Sequence, residues 1–329
     1  MSEPIGIAMV GCGGIAKAHL EAIAKLPEAQ LAAAVDVVRE RAEAVATQYG
    51  VPAYADYERA LADPDVDAVL LALPHHLHLP YTVQAAQAGK HVLVEKPMAL
   101  NLAEARQMAD AAQAAGVRLM VGQSTRFQPQ VWALKQAIAA GQLGEVRQCI
   151  YQRAFFLERL STPWRHSREQ SGGLYLPLFA SHDVDMIRWL MEAQGQPRRV
   201  HCTLRYYTQV VDSESDGMLG IEFEGGGIAS VAFTMNSHIS RWSSLYMGTE
   251  ATALIDGRED LWINDAKVGL DDSLTSFDRQ TAEFVAAIRE GREPSPSGRY
   301  ALGTMAVLDA ARASAESGQS VEIDPVSIA

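Results

Sequence analysis

The feature that most constrains the fold is a short apolar segment followed at once by glycines and then by a helical pattern. Residues 5–10 are apolar and predict a buried strand, which Gly11, Gly13 and Gly14 follow directly. From Ala16 onward, apolar residues recur at helical spacing, so the glycines lie in a strand-to-helix turn. Glycine clusters often make only turns, but this context is typical of a dinucleotide-binding unit.

Each position of the G-x-G-x-x-A string has a physical task. Gly11 permits the tight turn, Gly13 lets the backbone approach a pyrophosphate, and Ala16 lets the helix pack closely on the strand. The amino end of the helix attracts phosphate groups. The string therefore predicts a site for a dinucleotide.

A second apolar segment, residues 31–35, ends in an acid. This acid, Asp36, lies 20 residues beyond Ala16. A carboxylate at this place accepts a hydrogen bond from a ribose 2′-hydroxyl and repels a 2′-phosphate, which favours NAD over NADP. The nearby Arg39 leaves NADP as an alternative, and an ordinary solvated acid at a strand end is another.

The next apolar segment, residues 68–73, predicts a strand that is buried on both faces. Pro74 and three histidines, His75, His76 and His78, follow it. Histidines so close together suggest zinc, but no cysteine or carboxylate completes a recognisable ligand pattern. We therefore expect these residues to line the loop or the cofactor, and we expect no metal.

A further strand, residues 91–94, ends in Glu95, Lys96 and Pro97. In an open parallel sheet, ligands bind just past the carboxyl ends of the strands. A lysine there can donate a hydrogen bond or polarise a carbonyl, and the proline favours an extended backbone before it. The alternative is a surface Glu–Lys pair in a loop.

Two regions of different architecture follow from the pattern of strands and helices. Strand and helix alternate over residues 1–122, which predicts a doubly wound parallel sheet of the Rossmann type. Strand-rich segments separated by glycines occupy residues 199–264, which predicts a mostly antiparallel sheet. We therefore assign an α/β protein with a first domain at 1–122 and a second at 123–329.

A largely apolar helix is predicted over residues 174–191, and it carries a histidine. His182 and Asp185 are three residues apart and share one helix face. A lone histidine in such a helix is commonly a satisfied core residue, whereas acids beside it also suit a functional group. The spacing supports both interpretations equally.

Composition narrows the class of protein. The chain of 329 residues is 48% hydrophobic and carries a net charge of −12, which suits a globular protein and argues against a general nucleic-acid surface. Three cysteines, Cys12, Cys149 and Cys202, share no metal-like spacing and fit a reducing compartment. An acidic start and the lack of a long apolar run predict neither a signal peptide nor a membrane span, so we expect a cytoplasmic protein.

Together these residues resemble the glucose-fructose oxidoreductase / inositol dehydrogenase family, often shortened to Gfo/Idh/MocA. The resemblance covers nearly the whole chain, and the Glu-Lys-Pro string in its setting is its most specific part. The segments that carry it are residues 10–16, 89–97, Arg126-Phe127 with Pro129, 141–144, Gly172-Gly173, 182–185 and 248–250.

The resemblance implies a Rossmann domain and a C-terminal α/β domain with a large open sheet. It also implies a bound nicotinamide cofactor, which Asp36 indicates to be NAD, and sugar, cyclitol or polyol-like substrates. Lys96 matches the family's catalytic lysine and His182 its catalytic histidine. In the family the open sheet usually forms the oligomer interface, which predicts a homodimer or homotetramer. The negative net charge and the lack of a long apolar run lead us to expect no nucleic-acid or membrane partner.

The resemblance further predicts which residues contact the two ligands. The cofactor is expected to contact Gly11, Gly13, Gly14, Ile15, Ala16, Asp36, Arg39, Leu73, Pro74, His78, Glu95, Lys96 and Gln123. The substrate is expected to contact Lys96, Arg126, Trp164, Arg165, Leu178 and His182. Where Leu178 stands, the family often has an aspartate that binds substrate, and Pro177 beside it is unexpected in a helix, so an atypical substrate pocket is expected.

The sequence therefore predicts an NAD-dependent oxidoreductase that acts on a CH–OH group. His182 would exchange a proton with the substrate hydroxyl, and Lys96 would stabilise the developing charge. One alternative is a glycoside-processing enzyme whose NAD is oxidised and reduced within one cycle. Another is an NAD-bound sensor or regulator without turnover, which the retention of both residues argues against.

The strand-rich region also predicts self-association. Its apolar residues would lie on a sheet of which helices of the same domain can cover only one face. These apolar residues are Val210, Val211, Leu219, Ile221, Val231, Phe233 and Met235. We therefore expect a second subunit to cover the other face.

Overall fold

The computed structural model describes residues 3–257 and 259–324. The chain forms two compact units, Met1–Gln123 with Ser276–Ala301 and Ser124–Thr275 with Leu302–Ala329. From the sequence alone, residues 276–301 fall in the second domain. The structure groups them with the first unit instead.

Strands and helices alternate in the first part of the chain, and strands predominate after residue 196. The strands are β1 (Ile5–Val10), β2 (Ala29–Val35), β3 (Ala53–Tyr54), β4 (Ala68–Leu71), β5 (His91–Glu95), β6 (Leu119–Gly122), β7 (Val146–Phe156), β8 (Pro197–Arg205), β9 (Asp216–Phe223), β10 (Ile228–Thr234), β11 (Asn236–Gly248), β12 (Thr252–Asp256), β13 (Asp260–Ile263), β14 (Ala266–Lys267) and β15 (Val321–Glu322). The α-helices are α1 (Ala16–Lys25), α2 (Arg39–Tyr49), α3 (Tyr57–Leu61), α4 (His78–Gln87), α5 (Leu102–Ala115), α6 (Pro129–Ala139), α7 (Arg168–Ser171), α8 (Ser181–Leu190), α9 (Ser276–Glu290) and α10 (Gly298–Ser317). Turns of 3₁₀ helix cover His75–Leu77, Ser124–Phe127, Pro163–His166 and Glu192–Gln194, and a π-helical turn covers Leu176–Ala180.

The first unit is built on a parallel sheet of six strands in the order β3-β2-β1-β4-β5-β6. Its central strands are uninterrupted apolar segments, because helices cover both faces of the sheet. The predicted doubly wound Rossmann sheet is confirmed. The strand order reverses direction between β1 and β4, the place where such sheets bind ligands.

Local capping fixes the helix that follows the Glu-Lys-Pro segment. The side chain of Asn101 accepts a hydrogen bond from the backbone N–H of Glu104 at 2.9 Å. The Glu104 carboxylate in turn accepts from the backbone N–H of Leu100. At the other end Gly116 has a φ of 67°, which ends α5 at small steric cost.

Helix α9 belongs to the first unit because it packs on α1. The ring of Phe277 meets the ring of His19 edge-on at 4.9 Å between centroids. The Lys25 ammonium lies 3.0 Å from the Asp278 carboxylate. Ser297, beyond the helix, forms an isolated bridge with Met120 in β6. These contacts are long-range in sequence, and no local pattern reveals them.

The second unit contains a sheet of nine strands in the order β14-β13-β12-β11-β7-β10-β9-β8-β15. Strands β7 and β10 are parallel, and the other neighbouring strands of this sheet are antiparallel. The predicted mostly antiparallel sheet is confirmed. Val210 and Val211 were expected in the sheet, but β8 ends at Arg205 and these two residues lie in the loop that follows.

The two faces of this sheet differ from the expectation. Five of the residues expected to mark its apolar surface are buried: Leu219, Ile221, Val231, Phe233 and Met235. Side chains alternate between faces, and one member of this set, Phe233, stacks on Tyr175 at 3.6 Å. The exposed apolar residues on the opposite face of the sheet are instead Ile150, Met218 and Ile228, which are 43%, 67% and 47% exposed.

Within the described residues, no helix is long and apolar enough to span a membrane.

Candidate active site

The glycine turn after β1 has the shape that a dinucleotide requires. Gly11 has a φ of 92°, and a Cβ at this residue would lie 2.4 Å from the carbonyl oxygen of Ala72. A Cβ at Gly13 or Gly14 would meet nothing within 4 Å, so the backbone leaves open space at the amino end of α1. Ile15 is exposed and Ala16 is buried. The residues present therefore fit a bound pyrophosphate.

Asp36 is held at the end of β2 by two backbone amides. Its Oδ2 accepts from the N–H of Cys12 at 2.9 Å, and its Oδ1 accepts from the N–H of Val38 at 2.8 Å. Each carboxylate oxygen keeps a further lone pair for a ligand hydroxyl. Arg39, by contrast, is an exposed residue whose Nε lies 2.6 Å from Oε1 of Glu43.

The thiol beside this carboxylate is not poised for chemistry. Burial, together with the charge of Asp36, raises the pKa of Cys12 to about 11. A protonated thiol is a poor nucleophile. Cys12, Cys149 and Cys202 all carry free thiols.

His78 connects the segments that follow β4 and β5. Its ring is fully buried, with Nδ1 2.9 Å from the carbonyl oxygen of Pro97 and Nε2 3.0 Å from that of Leu73. Burial lowers the pKa of His78, although the two carbonyl contacts oppose the shift. The ring therefore supports these two loops from within, while Leu73 and Pro74 are only half-buried.

Glu95, at the end of β5, is fixed from two sides. His19 Nε2 lies 2.8 Å from Oε1 of Glu95, and the backbone N–H of Lys96 donates to Oε2 at 3.2 Å. Burial raises the pKa of Glu95, but the His19 contact and the charges of His19 and Lys96 outweigh it, so the pKa lies below its ordinary value. A Cβ at Gly122 would lie 3.1 Å from Oε1, so the carboxylate rests against the end of β6.

These residues of the first unit meet at one edge of the parallel sheet. The glycine turn follows β1, Asp36 follows β2, Leu73 and Pro74 follow β4, and Lys96 follows β5. Gln123, 2% exposed, follows β6. Carboxyl ends of parallel strands share an edge, so the arrangement is that of a ligand crevice.

In the second unit the predicted helix over residues 174–191 is not a single α-helix. It begins as the π-helical turn Leu176–Ala180 and continues as α8, which carries His182. Pro177 stands at the start of the turn, where a missing N–H is tolerated. Such turns often occur at functional sites. Leu178 is 7% exposed, and its N–H donates to the carbonyl of Leu174 at 3.1 Å.

A buried glutamate that sequence reasoning missed holds the start of this turn. Oε1 of Glu214 accepts from the backbone N–H groups of Leu174 and Leu176 at 2.9 and 3.1 Å. A carboxylate at a helix start satisfies amides that have no helical partner. A Cβ at Gly173 would lie 2.7 Å from Oε1, so glycine is needed there.

Arg126 lies in an internal ion pair. Its side chain is 1% exposed, and its Nε and Nη2 donate to the two carboxylate oxygens of Asp185, the latter at 2.7 Å. The guanidinium also lies 5.1 Å from the ring centre of Trp189. These contacts give Arg126 a structural task. The substrate contact that the resemblance implies for Arg126 stays a prediction.

A second buried carboxylate lies directly after His182. Oδ1 of Asp183 accepts from the Tyr151 hydroxyl at 2.5 Å and from Nη2 of Arg153 at 2.6 Å, and Oδ2 accepts from the Tyr175 hydroxyl at 2.7 Å. Sequence reasoning missed both residues of β7. Their spacing of two along a strand, which places them on one face, was the available signal.

The predicted substrate residues Trp164 and Arg165 lie in a short 3₁₀ turn. The guanidinium carbon of Arg165 is 5.1 Å from the ring centre of Trp164, and Nη1 donates to the Ser161 hydroxyl at 2.6 Å. Burial lowers the pKa of Arg165. As for metals, no group of three or more potential ligands is found within residues 3–257 and 259–324.

Comparison with known proteins decides the family. A model described as an oxidoreductase family with an NAD-binding Rossmann fold matches residues 5–123. A second, described as the GFO/IDH/MocA C-terminal domain, matches residues 131–254. The chain belongs to the Gfo/Idh/MocA oxidoreductase family. It is an NAD(P)-dependent oxidoreductase with a site for NAD, as the glycine turn and Asp36 predict.

Named relatives span several substrates. A 4-carboxy-2-hydroxymuconate-6-semialdehyde dehydrogenase from a Sphingobium species is 30% identical, covering 92% of this chain and 96% of its own. A scyllo-inositol 2-dehydrogenase (NAD(+)) from Bacillus subtilis is 27% identical, covering 98% of both. Among solved structures, the WlbA dehydrogenase from Bordetella pertussis in complex with NADH and UDP-GlcNAcA has a TM-score of 0.87 at 26% identity, covering 98% of this chain and 99% of that one.

The buried Arg126–Asp185 pair predicts a clear contrast in stability. Arg126→Met and Asp185→Asn should each lower the free energy of unfolding by about 3–5 kcal/mol, because each leaves one charge buried without its partner. The double variant Arg126→Met/Asp185→Asn should cost less than the sum of the single changes, because it leaves no buried charge without its partner. Denaturant titration of the purified variants measures all three.

The exposed ion pair of Arg39 with Glu43 provides the matched control. Arg39→Ala should change the free energy of unfolding by no more than about 0.5 kcal/mol, because solvent screens an exposed pair. A loss below about 1 kcal/mol for both single variants of the buried pair would contradict the structural task assigned to Arg126.

Proposed function

We propose that the protein is an NAD-dependent dehydrogenase that acts on a CH–OH group of a sugar, cyclitol or polyol-like substrate. The observation that carries the proposal is the position of Lys96. It follows β5 at the carboxyl edge of the sheet, and its backbone is held by a carboxylate that His19 orients. A cation there is suited to an oxygen on which negative charge develops.

The relatives support the reaction type more closely than the substrate. One is named for a cyclitol, scyllo-inositol, and another for a carboxylated semialdehyde. Both are named as dehydrogenases. The substrate of this chain therefore depends on its own second unit, where Leu178 stands at the position of the family's usual aspartate.

In the proposed mechanism, bound NAD supplies the acceptor or donor of a hydride. In the direction of oxidation, His182 accepts the proton of the substrate hydroxyl as general base. Lys96 donates a hydrogen bond to the same oxygen and stabilises the charge that develops there. Glu95 does not react, because its carboxylate is held by His19 and positions the backbone of Lys96.

Product analysis distinguishes the proposed dehydrogenase from two alternative functions. A redox-neutral glycoside-processing enzyme would form product without net NADH, and a sensor would bind NAD without forming product. Absorbance of NADH measured together with product analysis on a panel of sugars, cyclitols and polyols separates the three.

The first prediction of this mechanism concerns the cofactor. Asp36 should make NADH bind at least about tenfold more tightly than NADPH, a difference of about 1.4 kcal/mol, because its fixed carboxylate repels a 2′-phosphate. Fluorescence titration with each nucleotide gives the two dissociation constants. Equal or tighter binding of NADPH by the native chain would refute the preference.

The second prediction concerns the proton-transfer groups. Lys96→Met, which keeps the apolar stem and removes the charge, should lower turnover by about a hundredfold or more, as should His182→Ala. Binding of NADH should persist in both variants. Lys267→Met, which removes an exposed lysine of the second unit, is the control and should retain full turnover. Near-normal turnover of Lys96→Met would show that this lysine is structural.

The third prediction concerns assembly. We propose that the outward face of the nine-stranded sheet, with Ile150, Met218 and Ile228 exposed, is covered by a second copy of the chain. Light scattering at micromolar concentration should give a dimer or tetramer, and Met218→Asp should dissociate it. Leu274→Asp, a change at an exposed residue outside the sheet, should not. A monomeric native chain would exclude the interface.

A further inference from the structure

The guanidinium of Arg165 is a partly buried cation that has no carboxylate partner among the residues the structure describes. Its Nη1 donates to the Ser161 hydroxyl, and its planar group stacks on Trp164. The Nε atom is buried, and no acceptor for it is found in the part of the chain that the structure describes. Burying a charged donor without a partner is costly, and burial accordingly lowers the pKa of this group.

Two other arginines of the same unit show what the edge of a guanidinium formed by Nε and Nη2 binds. In Arg126, Nε and Nη2 together hold both oxygens of Asp185. In Arg153, the same two atoms donate to the Tyr151 hydroxyl, and Nη2 also donates to Asp183. This edge has the spacing of a carboxylate. In Arg165 it has no such acceptor among residues 3–257 and 259–324.

The segment that carries Arg165 begins and ends at the π-helical turn. It starts just after Phe155 of β7, whose ring lies 5.1 Å from that of Phe179 in the turn. It ends at Leu174, whose N–H is held by Glu214 where the turn begins. The segment of Arg165 therefore begins and ends beside the turn that carries Leu178 and leads into His182.

The side chain of Leu178 removes an obstacle to an anion. An aspartate here would repel a carboxylate bound nearby, and in a partly desolvated site that repulsion would be strong. Leucine is uncharged, and at 7% exposure it contributes an apolar wall. Leucine at position 178 and the Nε–Nη2 edge of Arg165 thus favour the same class of ligand.

We propose that the substrate is a carboxylated hydroxy compound and that the Nε and Nη2 atoms of Arg165 bind its carboxylate. This inference rests on the proposed function and specifies its substrate class. Oxidation would occur at a CH–OH group of the acid, while the carboxylate remains unchanged and orients the molecule.

The kinetic test uses acids paired with neutral alcohols of similar size: D-gluconate with D-sorbitol, and D-glucuronate with D-glucose. With NAD, the native chain should oxidise at least one acid with a kcat/KM at least tenfold above its neutral partner. Arg165→Gln should raise KM for the acid by about tenfold to a hundredfold, the usual scale of a lost hydrogen bond to a charged group, with a smaller change in kcat. Arg165→Lys should recover part of the loss. Equal use of both members of each pair, or preference for the neutral ones, would overturn the inference.

Arg168→Gln is the matched control, because it removes one positive charge from an exposed site in the same segment. It should change KM for the acid by less than about twofold, since solvent screens an exposed charge. An equal effect of both variants would show that only the general charge of the segment matters. Unchanged affinity for NADH in each variant confirms that the chain is folded.

A chemical labelling test separates failure of this inference from failure of the proposed function. Phenylglyoxal modifies accessible guanidinium groups, and mass spectrometry measures the modified fraction of Arg165 in the protein–NADH complex. The acids should protect Arg165, and the neutral alcohols should not. Protection without any turnover would refute the dehydrogenase and retain the carboxylate site. Turnover of neutral alcohols without protection by either acid would retain the dehydrogenase and refute the site, and protection by neither acid with no turnover would refute both.

Discussion

The second unit depends on a carboxylate with no access to water. Asp183 is fully buried, and a charge in that position is tolerated only when donors surround it. The hydroxyls of Tyr151 and Tyr175 and the guanidinium of Arg153 supply them. Two of these donors come from β7 and one from the segment before the π-helical turn, so the carboxylate joins the sheet to α8. The orientation of the helix that carries His182 follows from this set of hydrogen bonds.

The first unit uses the same chemistry at its ligand-binding edge. Asp36 follows β2, and Glu95 is the last residue of β5. Each carboxylate is removed from water, so internal donors must replace the lost hydration. Backbone N–H groups of Cys12 and Val38 serve the first, and His19 with the N–H of Lys96 serves the second. Each carboxylate thereby fixes the backbone of the segment that meets the ligand. The acids organise the loops before any ligand binds, which reduces the entropy lost on binding.

The sequence predicted the elements whose patterns are local. The strand–glycine–helix unit that begins at residue 5 and the change to an antiparallel sheet both depend on short-range periodicity and turn residues. It could not predict which face of β9 and β10 is covered, because alternation marks two faces without saying which one meets Tyr175. It also missed the contacts of Glu214 with Leu174 and of Arg153 with Asp183, which join residues 40 and 30 positions apart. The ion pair of Arg126 with Asp185 was also missed, because a motif records residue type and not the partner of the residue.

The discontinuous first unit has a consequence for synthesis on the ribosome. Residues 1–123 contain all six strands of the parallel sheet, yet α9, which packs on α1, begins only at Ser276. The face of α1 that meets Phe277 and Asp278 remains uncovered until more than 150 further residues have been made. At about 5–20 residues per second, that delay is on the order of ten seconds or more. A nascent chain of this protein therefore exposes an incomplete nucleotide-binding unit for that time, during which chaperones can bind it and a neighbouring chain can pair with it incorrectly.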